Sequence, residues 1–189
     1  SVSYSRYILT QATDTEAFSA SAGSSYSYDP TFTLSASVGV YVNHPLQAGQ
    51  DDISTSTGPT FNLTAEKTFE YGTLSLIGSQ QITSSAGVAG LSITRSALLV
   101  YAMELAQHLT GSISTSYINF DTSQTNFQIV QVFAALNYSL SQYISTGLSY
   151  SYRWRDSTQT VPGRITAGTV DGNIVQLYLR ASYPVWQGE

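Results

Sequence analysis

From Thr31 to Val42 the side chains alternate without a break. Phe32, Leu34, Ala36, Val38, Val40 and Val42 fall on one side, and Thr31, Thr33, Ser35, Ser37, Gly39 and Tyr41 on the other. Successive side chains of an extended chain point to opposite faces, so this period of two specifies a strand with one apolar and one polar face. The period returns in Phe61, Leu63 and Ala65 against Asn62, Thr64 and Glu66, and in Val132, Ala134, Leu136 and Tyr138 against Phe133, Ala135, Asn137 and Ser139. Near the end Leu148, Tyr150, Tyr152 and Trp154 oppose Gly147, Ser149, Ser151 and Arg153, and Val175, Leu177 and Leu179 oppose Gln176, Tyr178 and Arg180. Ten strands are predicted, near 2–13, 16–28, 31–43, 59–70, 73–84, 90–103, 108–120, 127–139, 143–155 and 173–186.

The apolar faces need a solvent, and composition says that it is not water. Only 10% of the residues are charged, while 42% are hydrophobic and 51 of the 189 are Ser or Thr. A soluble domain devotes about a quarter of its residues to Asp, Glu, Lys and Arg. The apolar content excludes a disordered Ser/Thr-rich chain. No run approaches the roughly 20 apolar residues of a spanning helix. An open strand edge in hydrocarbon leaves backbone groups unsatisfied at several kcal/mol each, so strands in a membrane close into a barrel. The expected fold is therefore all-β, a transmembrane up-and-down antiparallel β-barrel of about 10 strands formed by one domain over residues 1–189. The expected location is the bacterial outer membrane, with the lipid bilayer and its lipopolysaccharide as surroundings. Strand counting is equally compatible with a segment of a larger barrel.

The connections follow the rule of short turns at the periplasmic rim and longer loops outside. Asp29-Pro30, Glu70 to Gly72, Glu104 to Gln107 and Leu140 to Gln142 are short. Asn43 to Gly58 and Asp156 to Gly172 are long, and these loops, 43–58 and 156–172, are where an envelope protein partner would bind. Aromatics at strand ends are expected to form interfacial girdles. The predicted members are Tyr28, Phe69, Tyr143, Tyr183 and Trp186 on the short-turn side and Tyr41, Phe120 and Trp154 on the other. Eleven of the twelve acids lie at predicted turns, loops or the C-terminus; Glu66 alone sits mid-strand.

The stretch from Gly58 to Phe120 carries Gly72-Thr73-Leu74-Ser75-Leu76, Arg95-Ser96 and Leu109-Thr110. In this it resembles the β-barrel porin-2 family. The resemblance implies an outer-membrane protein associated with transport or with polysaccharide export. The final strand, with Leu177, Leu179, Ala181, Tyr183 and Trp186, also looks like the aromatic-ended signal read by barrel assembly machinery.

With the apolar face toward lipid, Glu66, Arg153 and Arg180 point into the lumen, with Arg6 and Arg95 as further members. Buried charges must be paired, so Glu66 is expected to pair with arginines in a network that includes Tyr178, Gln128, Gln176 and Asn137. Alternatively the arginines line a constriction that favours anions. Small inward residues such as Ser35, Gly39, Gly147 and Ser149 leave room for water. A net charge of −5 with a single lysine excludes a nucleic-acid partner. The lack of cysteine excludes disulfides and thiolate chemistry, and no metal site, cofactor or catalytic residue is expected. The reading that follows is a narrow channel or porin-like transporter for small solutes. The alternative is a plugged structural or binding barrel in an envelope or polysaccharide-export assembly. A rim hydrolase built on His44, Asp51 and Asp52 is a third, since general acid-base catalysis needs such a grouping.

Overall fold

The computed structural model describes residues 2–7, 14–46, 56–84, 91–122, 125–161 and 164–182. They form ten strands: β1 Val2–Tyr7, β2 Asp14–Asp29, β3 Phe32–Leu46, β4 Ser56–Phe69, β5 Gly72–Ser84, β6 Leu91–Ala106, β7 Leu109–Asp121, β8 Thr125–Ser139, β9 Ile144–Val161 and β10 Arg164–Ala181. They make one sheet in sequence order, each strand antiparallel to the next. This is the up-and-down arrangement that the alternation demands. Among the described residues β1 and β10 are not paired with each other.

Among the described residues no second layer packs on either face. The accessible surface is 13405 Å², where a compact monomer of this mass exposes only about 9,000 Å². Val38 is 66% and Leu177 80% exposed, and among the described residues the buried hydrophobic ones are Tyr41 and Ala135. The sheet holds together through its backbone ladder. The ladder is reinforced at the short-turn rim by one repeated bond, in which each turn's carbonyl accepts an N–H from two strands further on. Thr68 donates to Thr31, Glu104 to Tyr71, Ser139 to His108 and Ser182 to Tyr143, all at 2.8–2.9 Å. At the first turn Asp29 accepts the Thr31 N–H (2.7 Å) and hydroxyl (2.6 Å) and pairs with Lys67 at 3.4 Å. These hydrogen bonds, and then the lysine, hold its carboxyl below the usual value.

One strand assignment from sequence is revised. Of the strand expected over 2–13, residues 8–13 lie outside the described set, whereas the residues expected to form the loop 156–172 mostly continue the β9–β10 hairpin, with Arg164 opposite Val161. Crossing the hydrocarbon takes only about 9–11 residues of tilted strand. These 18-residue strands therefore project beyond it, where water bathes both faces and selects no alternation. Of the loop 43–58, residues 47–55 lie outside the described set, while 43–46 end β3 and 56–58 begin β4.

Register assigns every residue to a face. The outward face carries Val38, Phe61, Leu76, Leu99, Tyr117, Val130 and Trp154; the inward face carries Ser35, Thr64, Ser75, Ser114, Ser149 and Ser151. Inside, two tyrosines lie over glycines. Tyr41 on β3 covers Gly58 on β4, where a Cβ would sit 2.7 Å from its hydroxyl. Tyr178 on β10 crosses Gly147 on β9 to hydrogen-bond Asn137 on β8. An aromatic ring laid over a glycine restores packing that the missing side chain forfeits.

Three expectations follow. Leu99→Cys, in a chain with no native thiol, should resist a water-soluble maleimide in lipid vesicles, whereas Ser35→Cys inside should react; Leu99 is 38% exposed in the isolated sheet, so its protection comes from lipid. Gly147→Val should displace Tyr178 and lower unfolding stability in detergent by about 1–3 kcal/mol, read from the urea midpoint. Because the Asp29 pKa is lowered on folding, the carboxylate stabilises the turn above the ordinary carboxylate value and ceases to as pH falls through the lowered one. Hydrogen exchange at the Thr31 amide should therefore lose protection on acidification, and Asp29→Ala should remove that pH dependence.

Candidate functional site: an arginine-lined groove on the inner wall

Alternation along β9 points Ser149, Ser151, Arg153, Arg155 and Ser157 inward, and β8 and β10 flank them with partners in the same phase. Arg153 stands between Gln131 and Gly172, and Arg155 between Ile129 and Val170. Gly172 leaves its place empty, since nothing lies within 4 Å of where a Cβ would be. The result is a groove of about 690 Å³ lined by Ile129, Gln131, Ser151, Arg153, Arg155, Val170 and Ile174. Asp171 borders it but belongs by register to the outward face.

Arg155 lies 5.3 Å from the centre of the Phe127 ring, which itself stacks on Phe120 at 4.9 Å. The ring holds the guanidinium by cation–π attraction without neutralising it. Arg153 is exposed and makes no ion pair or hydrogen bond among the described residues. Two adjacent positive charges thus face the interior without a carboxylate on either.

Glu66 does not join them. It lies inward on β4, and its contact is the Ser75 hydroxyl at 3.5 Å. Among the described residues Glu66 forms no ion pair with an arginine, and β4 and β9 stand five strands apart in the sheet. Arg180 also lies inward, but opposite Ser145, eight residues and so about 27 Å down β9 from Arg153. Arg95 is corrected to the other face: it shares its register with Gln80 and Asn119 on the outward side. The backbone of Arg6 falls opposite Glu16 in the register, and its side chain lies outside the described residues. β6 has apolar residues on both faces (Leu98 and Val100 inward, Leu99 and Tyr101 outward), so its alternation left the phase open. Gln128 likewise faces outward, opposite Asn119, while the Tyr178–Asn137 part of the expected network is formed.

The girdle is also revised. Trp154 and Phe69 face outward, Phe69 meeting Tyr101 edge-on at 6.5 Å, and Tyr28 and Tyr143 are exposed beside the short turns. Tyr41 and Phe120 face inward, where Gly58 and Phe127 give their rings a seat. Tyr183 and Trp186 lie outside the described residues, as do Asp51 and Asp52. His44 falls opposite Glu16 near the loop end of β3. Arg155 was missed by the sequence reading although the signal was present, since it repeats the phase of Arg153 two residues on.

No protein-family model and no curated protein sequence matches this chain. Solved structures do match in shape. The outer-membrane-expressed OmpT of Vibrio cholerae aligns over 89% of this chain with a TM-score of 0.55 at 12% identity. A second structure, of in-vitro folded OmpT, an outer-membrane protein of Vibrio cholerae, aligns over 95% with a TM-score of 0.54 at 13% identity. The chain spans 56% and 59% of the length of those proteins. Its fold is that of an outer-membrane β-barrel.

Proposed function

We propose that this chain forms the wall of a water-filled outer-membrane channel that favours small anionic solutes. The observation that carries the reading is the pair Arg153 and Arg155, exposed on the inner wall beside a groove of about 690 Å³ and free of carboxylate partners. Guanidinium groups lining a pore attract anions and raise the barrier to cations. The rest of the inner wall suits passage, because small residues (Ser, Thr, Gly and Ala) hold most inward positions and leave room for water. The resemblance to the β-barrel porin-2 family points the same way.

Reconstitution in a planar bilayer tests this. Discrete openings are expected, with a reversal potential under a salt gradient that reports preference for anions. In the double variant Arg153→Ala, Arg155→Ala the anion-to-cation permeability ratio should fall several-fold while openings persist. A folded barrel that never opens, or one whose selectivity is unchanged by the double substitution, rules the reading out and favours a plugged scaffold acting through its projecting hairpin.

A further inference from the structure

The outward face changes character within one pleat. Gly78, Ala97, Tyr117, Val130 and Trp154 form one row straight across β5 to β9. The next outward row, two residues or about 7 Å nearer the loops, is Gln80, Arg95, Asn119, Gln128 and Asp156, every member polar. Tyr and Trp mark the boundary between hydrocarbon and headgroups, so the polar row lies at that boundary, with the apolar Ile82 and Ile93 one pleat further toward the loops on β5 and β6.

Within that row Arg95 is a prepared cation. Its Nε donates to the Gln80 Oε1 and one Nη1 hydrogen to the Asn119 Oδ1, both at 3.1 Å. Each amide is held in turn: Gln80 Nε2 donates to the Pro59 carbonyl at 2.9 Å, and Asn119, only 6% exposed, donates to the Asn126 Oδ1 at 3.3 Å. The chain of bonds spans β4 to β8, so the guanidinium is fixed in position. Both partners are neutral, so its charge is uncompensated, and its Nη2 group is free to donate. Asp121, one pleat nearer the loops on β7, makes no ion pair with it, and Asp156 stands three strands away.

We propose that Arg95, oriented by Gln80 and Asn119, binds the phosphate of a headgroup in the outer leaflet, the acyl chains of that lipid lying on the apolar row beneath. Phosphate accepts paired hydrogen bonds from a guanidinium, and a fork already ordered forfeits little entropy on binding. The site faces lipid and is separate from the inner-wall arginines, so it stands or falls independently of channel function.

The test is thermal unfolding of the full chain in zwitterionic detergent, titrated with a phosphorylated acyl glycolipid, its dephosphorylated form, or inorganic phosphate. The phosphorylated glycolipid should raise the melting temperature and the other two should not. Arg95→Gln should weaken the apparent affinity at least about 10-fold, which is 1.4 kcal/mol, while Arg180→Gln on the inner wall leaves it unchanged. Should Arg95→Gln fail to fold, Arg95→Lys keeps the charge without the fork and should bind several-fold more weakly. Equal stabilisation by the dephosphorylated lipid or by inorganic phosphate, or undiminished affinity in the folded Arg95 variant, overturns the assignment.

Discussion

The structure depends on one constraint: a single sheet with no second layer must satisfy its backbone entirely within the ladder. Among the described residues no core offsets a broken register, since no second layer covers either face. Stability therefore concentrates in hydrogen bonds between neighbouring strands, and the repeated turn-to-strand bonds at Thr31, Tyr71, His108 and Tyr143 extend that ladder past the last paired residues. In hydrocarbon each such group is worth several kcal/mol because no water can replace its partner.

The two faces obey different chemistry because they meet different media. Outside, Val, Leu and Phe are selected for lipid and need no mutual packing, which is why their exposure in the sheet is high. Inside, a tyrosine must find a hydrogen bond and a seat, and glycine provides the seat at Gly58 and Gly147. The β9–β10 hairpin belongs to neither medium once it leaves the membrane.

Charge is placed by the same logic. Arg153 and Arg155 border the groove on the inner wall and carry no carboxylate partner among the described residues. Arg95, on the lipid side, stands in a row of polar residues, held by the amides of Gln80 and Asn119 with its Nη2 group left to donate. Position relative to the bilayer, more than residue type, separates the proposed channel lining from the proposed headgroup site.

The all-β architecture, the strand order and most of the facing pattern were legible in the sequence, because a sheet between water and lipid imprints a period of two on every strand that crosses. The inward placement of Glu66, Arg153 and Arg180 followed from that period. Legibility failed where only one medium touches both faces: the polar stretch from Asp156 to Gly172 reads as a loop but pairs as strand, and β6, apolar on both sides, hid the outward phase of Arg95. Partnership between strands was beyond any local pattern. That Tyr178 reaches Asn137 across Gly147, that Arg155 meets Phe127, and that Glu66 meets Ser75 were decided by register between strands, which depends on hydrogen bonds among residues distant in the chain.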